Sequence, residues 1–198
     1  MPIDKRKLRD RATRAARALK REKSTFGYID DGSGKRYRIG VYFLMAGELQ
    51  KSADAFDAFH DEFPDDTGEP VFHLYSALAA YRCEELNKAS DRLLATQLSN
   101  PFLLPHLTGR TIDVGDVWLP SNWHQEDYLQ AIAEFLDEPT EAERHWISEA
   151  MDMPPFTALR DGFISTYSAL KNEHDLNKRH AILEQWRCLK ARHLSSEV

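Results

Sequence analysis

Reactive and metal-ligating side chains are plentiful in this chain, yet nowhere does their spacing suit chemistry. Eight histidines, His60, His73, His106, His124, His145, His174, His180 and His193, are scattered singly along it. A zinc hydrolase needs two imidazoles one helical turn apart, as in HExxH, so that both reach one metal. His145-Trp146-Ile147-Ser148-Glu149 has the elements reversed and supplies only one imidazole. The nucleophile elbow GxSxG and the dinucleotide fingerprint GxGxxG are missing. Gly32-Ser33-Gly34-Lys35 has the composition of a phosphate loop, but GxxxxGK[ST] is not met, since residue 29 is Ile and residue 36 is Arg. A tight turn or short hairpin built on Asp31-Gly32 is the better reading. Glu84-Glu85 and Glu126-Asp127 are sequence neighbours, and neighbours on a helix diverge, so no carboxylate dyad is expected. Cys83 and Cys188 are too distant in sequence for a CxxC site and read as free thiols of a reducing compartment. No catalytic residue, metal site or cofactor is therefore predicted, and the chain reads as a non-enzyme.

Binding chemistry is what remains, and the charge layout describes it. The 198 residues carry a net charge of -6. Residues 1–23 run against that balance, with ten Lys/Arg and three acids. Residues 54–69 and 126–143 each hold seven acids and no Lys or Arg. The result is a basic arm on an acidic body. With 42% hydrophobic residues the chain is long enough for a genuine core, and disorder is excluded as a description of the whole. No apolar run approaches the roughly 20 residues of a membrane span, and residues 1–23 lack the apolar centre of a signal peptide. A cytoplasmic location without membrane contact is the expectation.

The elements that must position any binding surface read as helical throughout. Residues 4–23 are rich in Ala, Leu, Arg and Lys, and Leu8, Ala12, Ala15 and Leu19 form a thin apolar stripe along them. Residues 24–35 break the helix with Gly27, Gly32 and Gly34, and the one weak hint of strand arises around 27–38. Apolar residues then recur at helical spacing over about 36–46, 49–63, 70–83 and 86–98, which argues two αα-hairpins within 36–101. Residues 102–121 read as an irregular connector around Phe102-Leu103-Leu104. About four helices follow within 122–198, near 124–136, 140–151, 155–171 and 176–193, the second opened by the capping-box spacing of Thr140 and Glu143.

The two hairpins align with each other at a constant offset of 37: Gly40, Gly47, Ser52, Phe56 and Pro64 against Ala77, Glu84, Ala89, Leu93 and Pro101. Small residues at 40, 52, 77 and 89 would let paired helices approach closely, and the prolines would stop the second helix of each pair. This pattern resembles the tetratricopeptide repeat (TPR) family, although Arg36 and His73 stand at its Trp position and Glu84 at a turn Gly. The resemblance implies an all-α fold of two TPR-like αα-hairpins, capped by the N-terminal basic helix and by the C-terminal helices, in one compact unit. It also implies an inner face made by Tyr37, Val41, Leu44 and Met45 with Leu74, Leu78, Tyr81 and Arg82. Such a face either receives a partner's amphipathic helix or is filled by the chain's own helices, and five helices outside the repeats favour the second.

The expected function is a protein–protein interaction module of adaptor, chaperone or antidote type. Its acidic surface around Asp57, Asp61 and Glu62 favours a basic protein partner, and homo-oligomerisation stays open. The alternative is nucleic-acid association through the basic arm. Composition argues against it, because the arm lacks interleaved aromatics and the body is acidic. Trp118 and Trp123, in the connector, serve either as binding anchors or as plugs between helical layers.

Overall fold

The computed structural model describes residues 4–64 and 66–194. Residues 1–3 of the basic stretch, Asp65, and residues 195–198 of the C-terminal stretch lie outside them. The described residues form helices and no strands. They divide into two compact units, Met1–Ala89 and Ser90–Val198, where the sequence predicts one.

In the first unit, α1 (Lys5–Phe26) starts at Asp4, whose carboxylate accepts the Lys7 N–H at 3.1 Å, and ends at Gly27 with φ 80°. It buries Leu8, Ala12 and Leu19 and packs along α2 (Lys35–Met45). The turn between them contains no strand, which corrects the hint around 27–38. Asp31, buried and at φ 38°, instead turns its carboxylate onto the first N–H groups of α2, Lys35 at 2.9 Å and Arg36 at 2.7 Å. A carboxylate that satisfies two orphan donors starts the helix here, and competes with any strand pairing.

Helices α3 (Leu49–Glu62), α4 (Pro70–Arg82) and α5 (Leu86–Ser99) lie within a residue of their predicted bounds. Where α2 meets α3, a Cβ on Gly40 would come within 2.7 Å of the Phe56 ring, and the Ser52 hydroxyl donates to the Gly40 carbonyl at 2.8 Å. Only glycine permits that approach. The turns after α2 and α4 share one geometry. Gly47 N–H donates to Leu44 O and Glu48 N–H to Phe43 O, at 2.8 and 2.9 Å; 37 residues on, Glu84 donates to Tyr81 O and Glu85 to Ala80 O, both at 3.0 Å. Glu84 (φ 62°) takes the left-handed conformation that Gly47 (φ 80°) takes freely. Helix α4 is buried on every side, from Pro70 through Ala80, as its nearly unbroken apolar sequence demands.

The units part inside α5. Its first turn ties back to α3 through Lys88 and Asp57 at 2.7 Å. Further along, Gln97 Nε2 donates to Phe156 O at 2.8 Å, and Asn100 Nδ2 to Gln125 O at 3.1 Å.

In the second unit the predicted connector contains α6 (Leu103–Leu107), which buries Leu103, Leu104, Pro105 and Leu107. Pro105 sits in its first turn, where a missing N–H costs nothing. The helix predicted over 124–136 is instead a short α7 (Tyr128–Ala131) between two 3₁₀ turns, Asn122–His124 and Ala133–Phe135. Its buried Leu129, Ile132 and Phe135 recur every third residue, a period that suits three residues per turn. Helix α8 (Glu141–Met151) opens on the complete Thr140–Glu143 capping box. Arg144 there donates to the carbonyls of Leu107, Leu136 and Pro139. Helices α9 (Pro154–Asn172) and α10 (Leu176–His193) pack together at Gly162, beside Trp186 and Leu189.

Candidate functional site

The inner face proposed from the repeat pattern lies in the interior. Val41, Leu44, Met45, Leu74 and Leu78 are buried, the first two and last two at 1% exposure or less. Tyr37, Tyr81 and Arg82 are half-buried. A partner helix has no room at this face, because the continuous burial of α4 leaves none of its sides open.

Tyr37 belongs to a fixed network beside that face. Its hydroxyl donates to Asp66 at 2.8 Å, and Arg36 pairs with Asp66 at 2.7 Å and stacks over the Tyr37 ring. Burial works against the Asp66 charge. The Gly68 N–H, the Tyr37 hydroxyl and Arg36 outweigh it and hold this carboxyl below its ordinary value. The same surroundings, burial foremost, push the Tyr37 phenol up. These side chains pin the loop before α4 onto α2. Among the described residues, no group of three or more His, Cys, Asp or Glu is placed to hold a metal ion.

The acidic trio is partly engaged: Asp57 pairs with Lys88 and Glu62 with Lys23, while Asp61 is exposed. In the second unit Trp118 and Trp123 are exposed at 45% and 38%. Each is also anchored: the Trp118 N–H donates to Tyr167 O at 3.1 Å, and Trp123 O accepts from Asn100. His124 stacks on Phe163, and burial lowers its pKa below the ordinary histidine value.

An open apolar concavity of the first unit lies on a surface that sequence reasoning missed. It is a groove of about 400 Å³ with α1 and α3 as walls and α2 as floor. Ala16 and Leu19 stand on one wall, Ala55 and Ala58 on the other, and Ile39 and Phe43 line the floor. The walls run parallel and are tied at both ends by ion pairs at a spacing of 39 residues, Arg9–Glu48 at 3.5 Å and Lys23–Glu62. Between the ties the rims carry opposite charges, Lys20 on α1 and Asp54 on α3. Neither has an ion pair among the described residues, and Asp54 accepts only a hydrogen bond from Gln50 at 2.9 Å. At one tie, Lys51 and Arg9 hold the Glu48 carboxyl below its ordinary value.

Small residues on both walls, an apolar floor and opposite rims suit a helix with one apolar face. The groove's volume of about 400 Å³ falls within the range of small-molecule pockets, which starts at roughly 300 Å³, but it is an open groove between helices rather than a deeply enclosed cavity. The sequence signals are the thin apolar stripe on α1 and two small residues, half-buried Ala55 and exposed Ala58, inside the acidic helical stretch. No family model, curated protein or solved structure matches this chain.

Proposed function

We propose that the protein is a non-enzymatic protein–protein interaction module, an adaptor, chaperone or antidote built on two TPR-like hairpins and working in the cytoplasm. The TPR-like reading is supported by the offset of 37 that relates both the small residues and the turn hydrogen bonds of the two helix pairs. The interaction reading is carried by one observation: the apolar groove between α1 and α3. Its occupant is an amphipathic helix of another protein, with anchors at i, i+3 or i+4, and i+7 entering between Ala16 and Ala55. An acid on one flank meets Lys20 and a base on the other meets Asp54, which fixes the direction in which the helix lies.

Ala58 is exposed on the groove wall, so Ala58→Arg fills the groove without disturbing the core. Affinity capture from the native cell is run in parallel with wild-type protein and with this variant. A partner retained by wild type and lost by Ala58→Arg, at equal melting temperature, supports the groove. Equal retention by both proteins removes it as the binding site.

A further inference from the structure

We infer that the outer face of α1, together with the aromatic pair at its C-terminal end, is a binding surface for single-stranded nucleic acid, distinct from the groove and independent of its assignment. The acids and bases of the first unit are nearly balanced, at 15 and 16, and are paired in similar numbers, but the bases without an ion pair among the described residues concentrate on α1. Among the described residues at least eight acids and seven bases sit in ion pairs, among them Asp31 and Asp66 on Arg36, Glu69 on Arg38, and Glu62 on Lys23. Of the two acids within α1 itself, Glu22 spends its carboxylate on the Asp30 N–H at 3.0 Å. Arg6, Arg11, Arg14, Arg17 and Arg21 are all exposed, and none has an ion pair among the described residues. Positive charge is thus the uncompensated charge on this helix. The outer row sets these five arginines around one exposed acid, Asp10, and arginine is the cation best shaped for phosphate and for stacking on bases.

From Arg11 to Arg21 the row spans about 15 Å in steps of about 4.5–6 Å along the helix. Beside it, Arg11, Arg14 and Lys35 border a shallow depression over Ala15 and Ala18. The second feature is aromatic. Helix α1 runs three residues beyond its predicted end, to Phe26, and Phe26 and Tyr28 stand 66% and 65% exposed with ring centroids 6.5 Å apart. Two bare rings at the end of an arginine row reproduce the pairing of stacking platform and phosphate track by which single strands are held. A base must be unstacked to use the rings, which favours a single strand over a duplex. A bilayer is disfavoured because the apolar stripe of α1, Leu8, Ala12 and Leu19, is buried and leaves that helix no apolar face to insert.

The test is fluorescence anisotropy of the whole protein with labelled oligothymidine, its duplex with oligoadenosine, and vesicles containing phosphatidylserine, each over a salt series. The expected result is binding of oligothymidine in preference to the duplex. Log affinity should fall against log salt with a slope of about -2 to -3.5, as three to five phosphate contacts require. Phe26→Ala with Tyr28→Ala should weaken oligothymidine binding at least about fivefold. Arg14→Glu with Arg17→Glu and Arg21→Glu should abolish it, and melting by circular dichroism verifies that both variants fold. The inference is overturned by no oligothymidine binding at low salt, by duplex binding as tight as single-strand binding with the aromatic variant unchanged, or by binding of vesicles alone.

Discussion

Replacing Gly40 by alanine sets two known effects against each other, and the structure decides the sign. Alanine is favoured over glycine inside a helix by up to about 1 kcal/mol. The new methyl carbon would lie 2.7 Å from Cζ of Phe56 and 2.8 Å from both Cε atoms. Phe56 has no room to withdraw: it is fully buried and set edge-on to Phe72 at 5.1 Å. Overpacking of this kind costs about 1–3 kcal/mol, so a net loss near 1 kcal/mol is expected, or roughly 2–4 °C in melting temperature. Phe56→Leu removes the obstructing ring, and in that background Gly40→Ala should raise stability by up to about 1 kcal/mol. Urea titrations followed by circular dichroism on the four proteins of this cycle measure both signs. Stabilisation of the wild type by Gly40→Ala would refute the close α2–α3 contact.

Other perturbations have equally definite signs. Glu84→Gly relieves a left-handed backbone and should stabilise by about 0.5–1 kcal/mol, whereas Gly47→Ala at the equivalent turn should destabilise by about 1 kcal/mol; thermal melts of the pair check this. Asp31→Ala leaves the first N–H groups of α2 uncapped and should cost about 1–2 kcal/mol by urea titration. His124 is held neutral by burial, so its contribution is complete above the ordinary histidine value of about 6.5 and declines as pH falls below it. Melting temperature followed from pH 7.5 to 5 should drop more steeply in wild type than in His124→Gln, and parallel curves would sink this assignment.

Helix positions were legible because apolar residues at helical spacing, punctuated by Gly and Pro, leave little freedom in where a helix starts and stops. The Gly40–Ser52 approach was legible for a related reason, since small residues inside apolar blocks mark close contacts. The Asp31 cap was not, because its carboxylate reaches α2 from four and five residues upstream through an unusual φ. The burial of Leu74 and Leu78 could have been read from the unbroken apolar run of α4, which allows no open side. The repeat resemblance instead implies an inner face on one side of that helix. The groove was hidden for a tertiary reason: it exists only because α1 settles alongside α3 at a spacing of 39 residues, set by the seating of Leu8, Ala12 and Leu19 and by two ion pairs.

The groove is the central claim, and photo-crosslinking in the native cell tests it most directly. A benzophenone amino acid is placed at Ala58 on the groove wall and, as a control, at the exposed Asn177 of α10. The account predicts a discrete crosslinked protein from position 58, suppressed by Lys20→Glu on the facing rim, and none from position 177. Absence of a crosslink at 58, or the same product from both positions, would contradict it.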